Sequence, residues 1–448
     1  MERMEKETIL RLLEQKNYRQ LREVTEDVQP ADLAEMLEEM DQNQRLLVFR
    51  LMKKDLAAET FAYLDNDARS DMVEAFSDAE LTNALEQMAL DDAADLLEEM
   101  PASVVKRVLG RSAPETREAL NRLLNYPADS AGSIMTPEYV RLRRGMTVTE
   151  AFTTIRRQGE LAETVYICYV VDHNRLEGVV TARELLLANP DDLVEDLMDD
   201  NVITVQVTDD KEFVANEMNR YDFMAMPVVD SEGFMVGIVT LDDASDVLIE
   251  EATEDIQKMA AIAAPPEDSY FSTSVWAHAR SRIPWLLILM LSATFTGMII
   301  TYYENAFAAL PLLVSFIPML MDTSGNCGNQ SSTLMVRGMA LGDIQPADIL
   351  RVIFKEIRVA LLVGAVLAAA NGLRIYLMVH DVRLALLISV TLVLAIAIAK
   401  LIGCSLPLLV QKVGLDPALM ASPFITTIVD ACAITIYFSI ATRMFQLG

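Results

Sequence analysis

In the stretch SPFITTIVDACAITIYF (422–438), Ser422, Thr426 and Asp430 recur every fourth residue within an otherwise apolar run. On a helix that spacing places two hydroxyls and one carboxylate near one face. The run opens after Pro417 and closes near Arg443, so Asp430 lies close to its middle, about 20 Å of helix rise beyond Pro417. An ionisable group at such depth in a membrane span is costly and by default marks a functional site. A second polar set, MDTSGNCGNQSS (321–332), interrupts an earlier apolar run with Asn326, Asn329 and Gln330, and with Gly325 and Gly328 between them. Carboxylate, amide and hydroxyl oxygens suit a hard cation or its water shell. The three histidines and four cysteines are scattered and lack the spacing of a zinc or copper site. That leaves Mg²⁺, Ca²⁺ or Mn²⁺. Asp430 then faces a polar path shared with the 321–332 insert, pairs with the intramembrane Lys400, or is protonated and silent.

These residues need a bilayer and helices to hold them. Apolar runs at 283–303, 307–336, 354–377, 384–410 and 418–441 read as five membrane spans. The glycines of the insert, with Pro311 and Pro318, predict a broken second span, tolerated only where it is buried in protein or lines a wet cavity. The first thirty residues are charged and hold no secretory segment, which predicts a cytoplasmic N-terminus. Five spans put the C-terminus outside. Arg280, Arg282, Arg337, Arg351, Lys355, Arg358 and Lys412 then flank the inside, and only Arg374, Arg383 and Arg443 the outside, as the positive-inside rule requires.

The front of the chain differs. Residues 1–270 hold 58 acidic and 26 basic residues, whereas residues 271–448 hold 8 and 11. Such acidity repels nucleic acid and suits a cationic partner. Residues 1–130 carry only helical periodicity. PADLAEMLEEM (30–40) and LDDAADLLEEMP (90–101) are near copies, which predicts an all-α superhelical repeat domain. In 131–250, YVVDHNRLEGVVT (169–181) repeats as PVVDSEGFMVGIVT (227–240), each copy running strand, helix, strand, turn, strand, helix. The pair resembles tandem CBS domains, α/β modules that often bind adenosine nucleotides. The resemblance makes Thr181, Arg183 and Glu184 of TARE, with Phe223, candidate contacts for ATP. A connecting helix follows within 242–281, ended by APPEDS (264–269), with Asp243, Asp246, Glu250 and Glu254 forming one acidic stripe. Residues 282–448 are the transmembrane domain.

The order of these parts, together with GNCGNQSSTL, SPFITTIVD, EEATEDI (250–256) and GLDPAL (414–419), resembles the MgtE family of magnesium channels over essentially the whole chain. The resemblance implies a homodimer in the plasma (inner) membrane, with one pore lined by the second and fifth spans. It implies that Asp430 of both subunits holds a largely hydrated Mg²⁺, with Asn329, Thr426 and Gly325 around it. The family carries Asn before the proline of the fifth span, where this chain has Ser422. It also implies a cytosolic Mg²⁺ sensor. Its acids are Glu59, Asp91 and Asp95 in the helical domain, and Asp210, Glu212 and Asp222 in the second CBS copy. Asp243, Asp246, Glu251, Glu254 and Asp255 follow on the connecting helix, and Asp416 before the fifth span. Cytosolic Mg²⁺ bound there would close the pore.

The sequence thus points to uptake of Mg²⁺, with Mn²⁺, Co²⁺ and Ca²⁺ as further candidate cargo. A proton-coupled cation exporter and a non-conducting cation or nucleotide receptor are the alternatives. No nucleophile–base set, phosphate loop or metalloprotease motif points to an enzyme.

Overall fold

The computed structural model describes residues 8–446, apart from residues 14, 99, 264–269, 271–272, 305–309 and 421. The APPEDS stop and the start of the second apolar run lie outside the described residues. The chain divides into two compact units, 1–250 and 251–448.

The first unit opens with short helices, most of them packed on the second helix beyond. Pro30–Glu38 lies on Lys54–Ala62, Gln42–Leu51 on Asn66–Ala75, and Lys54–Ala62 on Asp78–Leu85. This is the stacking of a superhelix. The repeat seen in the sequence survives in the packing. Leu33, Ala34, Met36 and Leu37 are buried on one helix, and Ala93, Ala94, Leu96 and Leu97 at the equivalent positions sixty residues on. Asp41 and Asp65 accept from the first backbone N–H groups of their helices, and Ser77 with Glu80 forms a capping box. Many of the acids therefore start helices, where an anion is favoured.

Two three-stranded sheets follow. The first is β1 (Tyr139–Leu142), β2 (Thr164–Asp172) and β3 (Arg175–Thr181), and the second is β4 (Val205–Gln206), β5 (Ala225–Val229) and β6 (Met235–Thr240). In both, the first pair is parallel across a helix and the second is an antiparallel hairpin. His173 and Asn174 adopt positive φ (47° and 66°), the geometry of a tight two-residue hairpin. Gly233 does the corresponding work in the second copy with φ 83°. The connecting helix, Leu241–Met259, runs straight out of β6.

Among the described residues the second unit holds five long helices: Val275–Tyr302, Ile317–Ala340, Ile349–Val379, Val382–Lys412 and Ser422–Phe445. The first, fourth and fifth are long and apolar enough by length and composition to cross a membrane. The second and third carry more polar or charged residues, such as Asp322, Asn326, Lys355 and Glu356.

The second long helix corrects the sequence expectation. It runs unbroken through the polar insert. The irregular turn comes earlier, a 3₁₀ segment at Pro311–Phe316, and Pro318 sits in the first helical turn, where a missing N–H costs nothing. Gly325 and Gly328 serve close packing instead of loosening the helix.

Candidate ion path and its acidic neighbours

The second, fourth and fifth long helices meet at glycines. A Cβ on Gly325 would lie 2.7 Å from Thr426 Cγ2 and 3.8 Å from Asp430 Oδ1. One on Gly328 would lie 3.0 Å from Ile425 Cγ2 and 3.3 Å from the Ala399 carbonyl oxygen. One on Gly403 would fall on the Gly328 carbonyl oxygen. Only glycine lets these backbones approach so closely.

That approach puts the fifth helix's Asp430 beside the polar face of the second helix. Asn329 Oδ1, Ser332 Oγ and Asp430 Oδ1 are shielded from solvent and lack a hydrogen-bond partner among the described residues. Shielded oxygens in native structures are normally satisfied, so these three have room in their bonding for hydrogen bonds from water. Asp322, Asn326 and Gln330 continue the face as an exposed stripe at four-residue spacing. Thr426 is partly buried one turn before Asp430, and Ser422 is the first residue of the helix. Lys400 does not pair with Asp430. It lies with Glu356 and Ser331, with Nζ 3.4 Å from Glu356 Oε2. The sequence reading passed over Asp322 and Ser332, although both lie inside the quoted insert.

The acids attributed to a sensor are distributed. Glu59 is exposed on Lys54–Ala62. Asp91 is buried, and Asp95 follows it by one turn. Burial raises the Asp91 carboxyl, with Asp242 adding repulsion. Asp243 accepts from Thr240 Oγ1 at 2.5 Å. Burial, then Asp91, with further repulsion from Asp242 and Asp92, pushes Asp243 up to about 8. Asp92, Asp242, Glu138 and Glu163 belong to this group as well, since burial and mutual repulsion raise the Asp92, Glu138 and Glu163 carboxyls and Asp242 is among the charges that press on Asp92 and Glu163. The first two adjoin residues singled out in the sequence. The last two flank the segment from β1 to the start of β2 and gave no local signal. Asp210 and Asp222 cap the two ends of the helix Lys211–Tyr221, and Glu212 lies in its first turn.

Two lysines pair with acids of the connecting helix. Lys211 lies 3.3 Å from Glu250 and 3.7 Å from Asp129. Lys258 lies 2.6 Å from Glu254 and 2.7 Å from Asp416. Asp255 is raised by burial and then by Asp416. Asp246 is exposed and Glu251 half-buried. Among the described residues no three His, Cys, Asp or Glu converge into a metal cage. Pairs of carboxylates still suit Mg²⁺, which keeps several waters and takes one or two protein carboxylates.

The nucleotide candidates are locally committed. Thr181 and Glu184 form a reciprocal capping box, with Thr181 Oγ1 donating to Glu184 Oε2 at 2.8 Å. Arg183 is exposed, and Phe223 stacks on Tyr221 at 5.4 Å.

The raised carboxyls fix the sign of a pH effect. Asp243 holds a proton in the folded state that the unfolded chain, with a carboxyl near 3.8, has lost. Stability of residues 1–270 therefore falls as pH rises from about 4 through about 8. In a chelator, the melting temperature of that fragment should drop by roughly 5 °C between pH 5.5 and pH 8. Millimolar Mg²⁺ should flatten the slope and NaCl of equal ionic strength should not, because screening is not ion binding. An equal effect of NaCl would reduce the acidity to ordinary surface charge.

The MgtE profile, described as a divalent cation transporter, matches residues 317–440, and that of the MgtE intracellular N domain matches 28–129. CBS domains match 131–191 and 194–250. The chain is 38% identical over 443 residues to the magnesium transporter MgtE of Thermus thermophilus, covering 97% of both chains. It is 34% identical to that of Bacillus subtilis, over 98% of this chain and 97% of the other. The chain belongs to the MgtE family of magnesium transporters. MgtE membership accounts for a helical domain, a CBS pair and a membrane domain in that order. The solved cytosolic domain of the Mg²⁺ channel MgtE, in complex with ATP, aligns with 54% of this chain and 99% of its own. Its TM-score is 0.52 at 38% identity. The soluble part of a magnesium transporter aligns at a TM-score of 0.54 and 30% identity, over 56% of this chain and 100% of that one.

Proposed function

We propose that this MgtE chain takes up Mg²⁺ across the plasma membrane and is closed by cytosolic Mg²⁺ bound to its acidic front part. The N-terminus lies in the cytoplasm and the C-terminus outside. The observation that carries the transport reading is the set of shielded, unpaired oxygens of Asn329, Ser332 and Asp430 among the described residues. The exposed polar stripe of Asp322, Asn326 and Gln330 beside it needs water or a second copy of itself. A homodimer with the path on its two-fold axis supplies both, and doubles the carboxylate count. Mg²⁺ dehydrates reluctantly, so a path that reads the hydrated ion through amide, hydroxyl and carboxylate acceptors avoids that cost.

Closure rests on charge. With Mg²⁺ scarce, the carboxylates around Asp91 and Asp243 repel one another. With Mg²⁺ abundant, the compact arrangement is favoured, and a ligand that prefers one state shifts the population toward it. Lys211, from the helix Lys211–Tyr221, and Lys258, on the connecting helix itself, are built-in cations beside Glu250 and Glu254, so ion binding adds to an attraction already present. ATP at the CBS pair belongs to the same proposal, supported by the ATP complex of a 38% identical relative.

Purified protein in liposomes containing a Mg²⁺-sensitive dye tests this. Uptake should follow the Mg²⁺ gradient with no pH gradient imposed. Flux that appears only with a pH gradient would favour the proton-coupled exporter, and absence of flux the non-conducting receptor.

A further inference from the structure

Ser331, Glu356 and Lys400 come from three different long helices and are 0%, 6% and 4% exposed. Ser331 Oγ donates to Glu356 Oε2 at 2.6 Å and accepts from Lys400 Nζ at 3.1 Å. Lys400 Nζ also reaches Glu356 Oε2 at 3.4 Å. One hydroxyl on the second helix is thus held by the carboxylate of the third and the ammonium of the fourth. Ser331 is two residues from Asn329, about 200° around the helix. The network therefore grips the face opposite the one carrying Asn329 and Asp322. The close passage of Gly328 and Gly403 fixes how near the helices lie, and the buried network adds a directional hold on rotation about the helix axis. A rotation of about 20° would move a side-chain tip some 6 Å from that axis by about 2 Å.

We propose that Ser331, Glu356 and Lys400 are positioning residues that set the rotation of the second helix, and so aim Asn329 at the ion passing Asp430. This rests on the proposed ion path. A buried ion pair is a poor source of net stability, and its better-attested use is to specify one arrangement. The pair is desolvated and electrically neutral, so it adds no net charge beside the path.

Ser331→Ala tests the proposal, because it removes the shared hydroxyl while leaving the Glu356–Lys400 pair intact. The full-length variant in liposomes should fold and conduct. Its Mg²⁺ concentration for half-maximal flux should rise about fivefold, the worth of one hydrogen bond to the ion's water shell. The Mg²⁺ to Co²⁺ flux ratio should fall with it. A purely structural role predicts lower folded yield with both quantities unchanged in the folded fraction, and that result overturns the proposal. If Ser331→Ala does not fold, Glu356→Gln with Lys400→Met removes both charges together, and the same two readouts decide. Asp430→Ala, run alongside, separates the claims. Flux in that variant defeats the ion path itself, whereas an unchanged Ser331→Ala beside a dead Asp430→Ala defeats only the positioning role.

Discussion

Replacing Asp430 with Ala is expected to abolish Mg²⁺ uptake while the protein still inserts in the membrane at normal levels. A divalent ion and a carboxylate about 4.5 Å apart, the distance across one water, attract by roughly 7 kcal/mol at an effective dielectric constant near 20. If solvent and neighbouring dipoles return two-thirds of that, about 2.5 kcal/mol remains, near seventyfold in occupancy for each carboxylate. A two-fold axis would lose two of them. The fold should tolerate the change, because Asp430 Oδ1 has no hydrogen-bond partner among the described residues. Removing it orphans no donor. Asp430→Asn keeps the shape and should be nearly as inactive, since charge and not volume is what the ion requires. Dye-loaded liposomes measure both variants, and uptake at the normal rate by Asp430→Ala would falsify the assignment of the path.

Neutralising Asp243, Asp246 and Glu251 together to Asn, Asn and Gln is expected to flatten the dependence of transport on cytosolic Mg²⁺. Two opposed effects produce one direction. Fewer carboxylates weaken ion binding to the compact arrangement, and weaker repulsion makes that arrangement easier to reach without ions. Asp243 carries most of this, being half-buried and the one whose neighbours Asp91, Asp92 and Asp242 also press on it. A ligand can shift an equilibrium only by its differential affinity for two states, and both effects shrink that difference. The level of activity at low Mg²⁺ can move either way. The slope of the inhibition curve, recorded in excised patches over a cytosolic Mg²⁺ series, is the quantity to compare. An unaltered curve would make the stripe a solvated helix face.

The architecture was readable where periodicity or repetition repeated itself. The sixty-residue repeat fixed the same buried positions on Pro30–Glu38 and Leu90–Glu98, and the two hairpin turns marked both CBS sheets. What failed was the inference from glycine and proline to a broken second span. Both residue types weaken a helix in isolation, but Gly325, Gly328 and Gly403 are explained by three helices approaching closely, a tertiary fact with no one-dimensional trace. The partner of Lys400 was missed for the same reason. Glu356 lies 44 residues away on another helix, and a carboxylate at the charged start of a span looks like an ordinary flank. Lys258 was passed over as one base in an acidic run, although its i,i+4 spacing from Glu254 was visible. Asp210 and Asp222 stood out as acids, and the structure gives both of them a capping role that any helix-terminal acid could fill.

Single-channel recording in a planar bilayer with Mg²⁺ as the sole permeant cation, comparing the unaltered chain with Asp430→Ala, is the most direct test that Mg²⁺ passes this carboxylate. Discrete Mg²⁺ currents are expected from the unaltered chain at micromolar cytosolic Mg²⁺, and none from Asp430→Ala. Currents of equal amplitude from both would contradict the path.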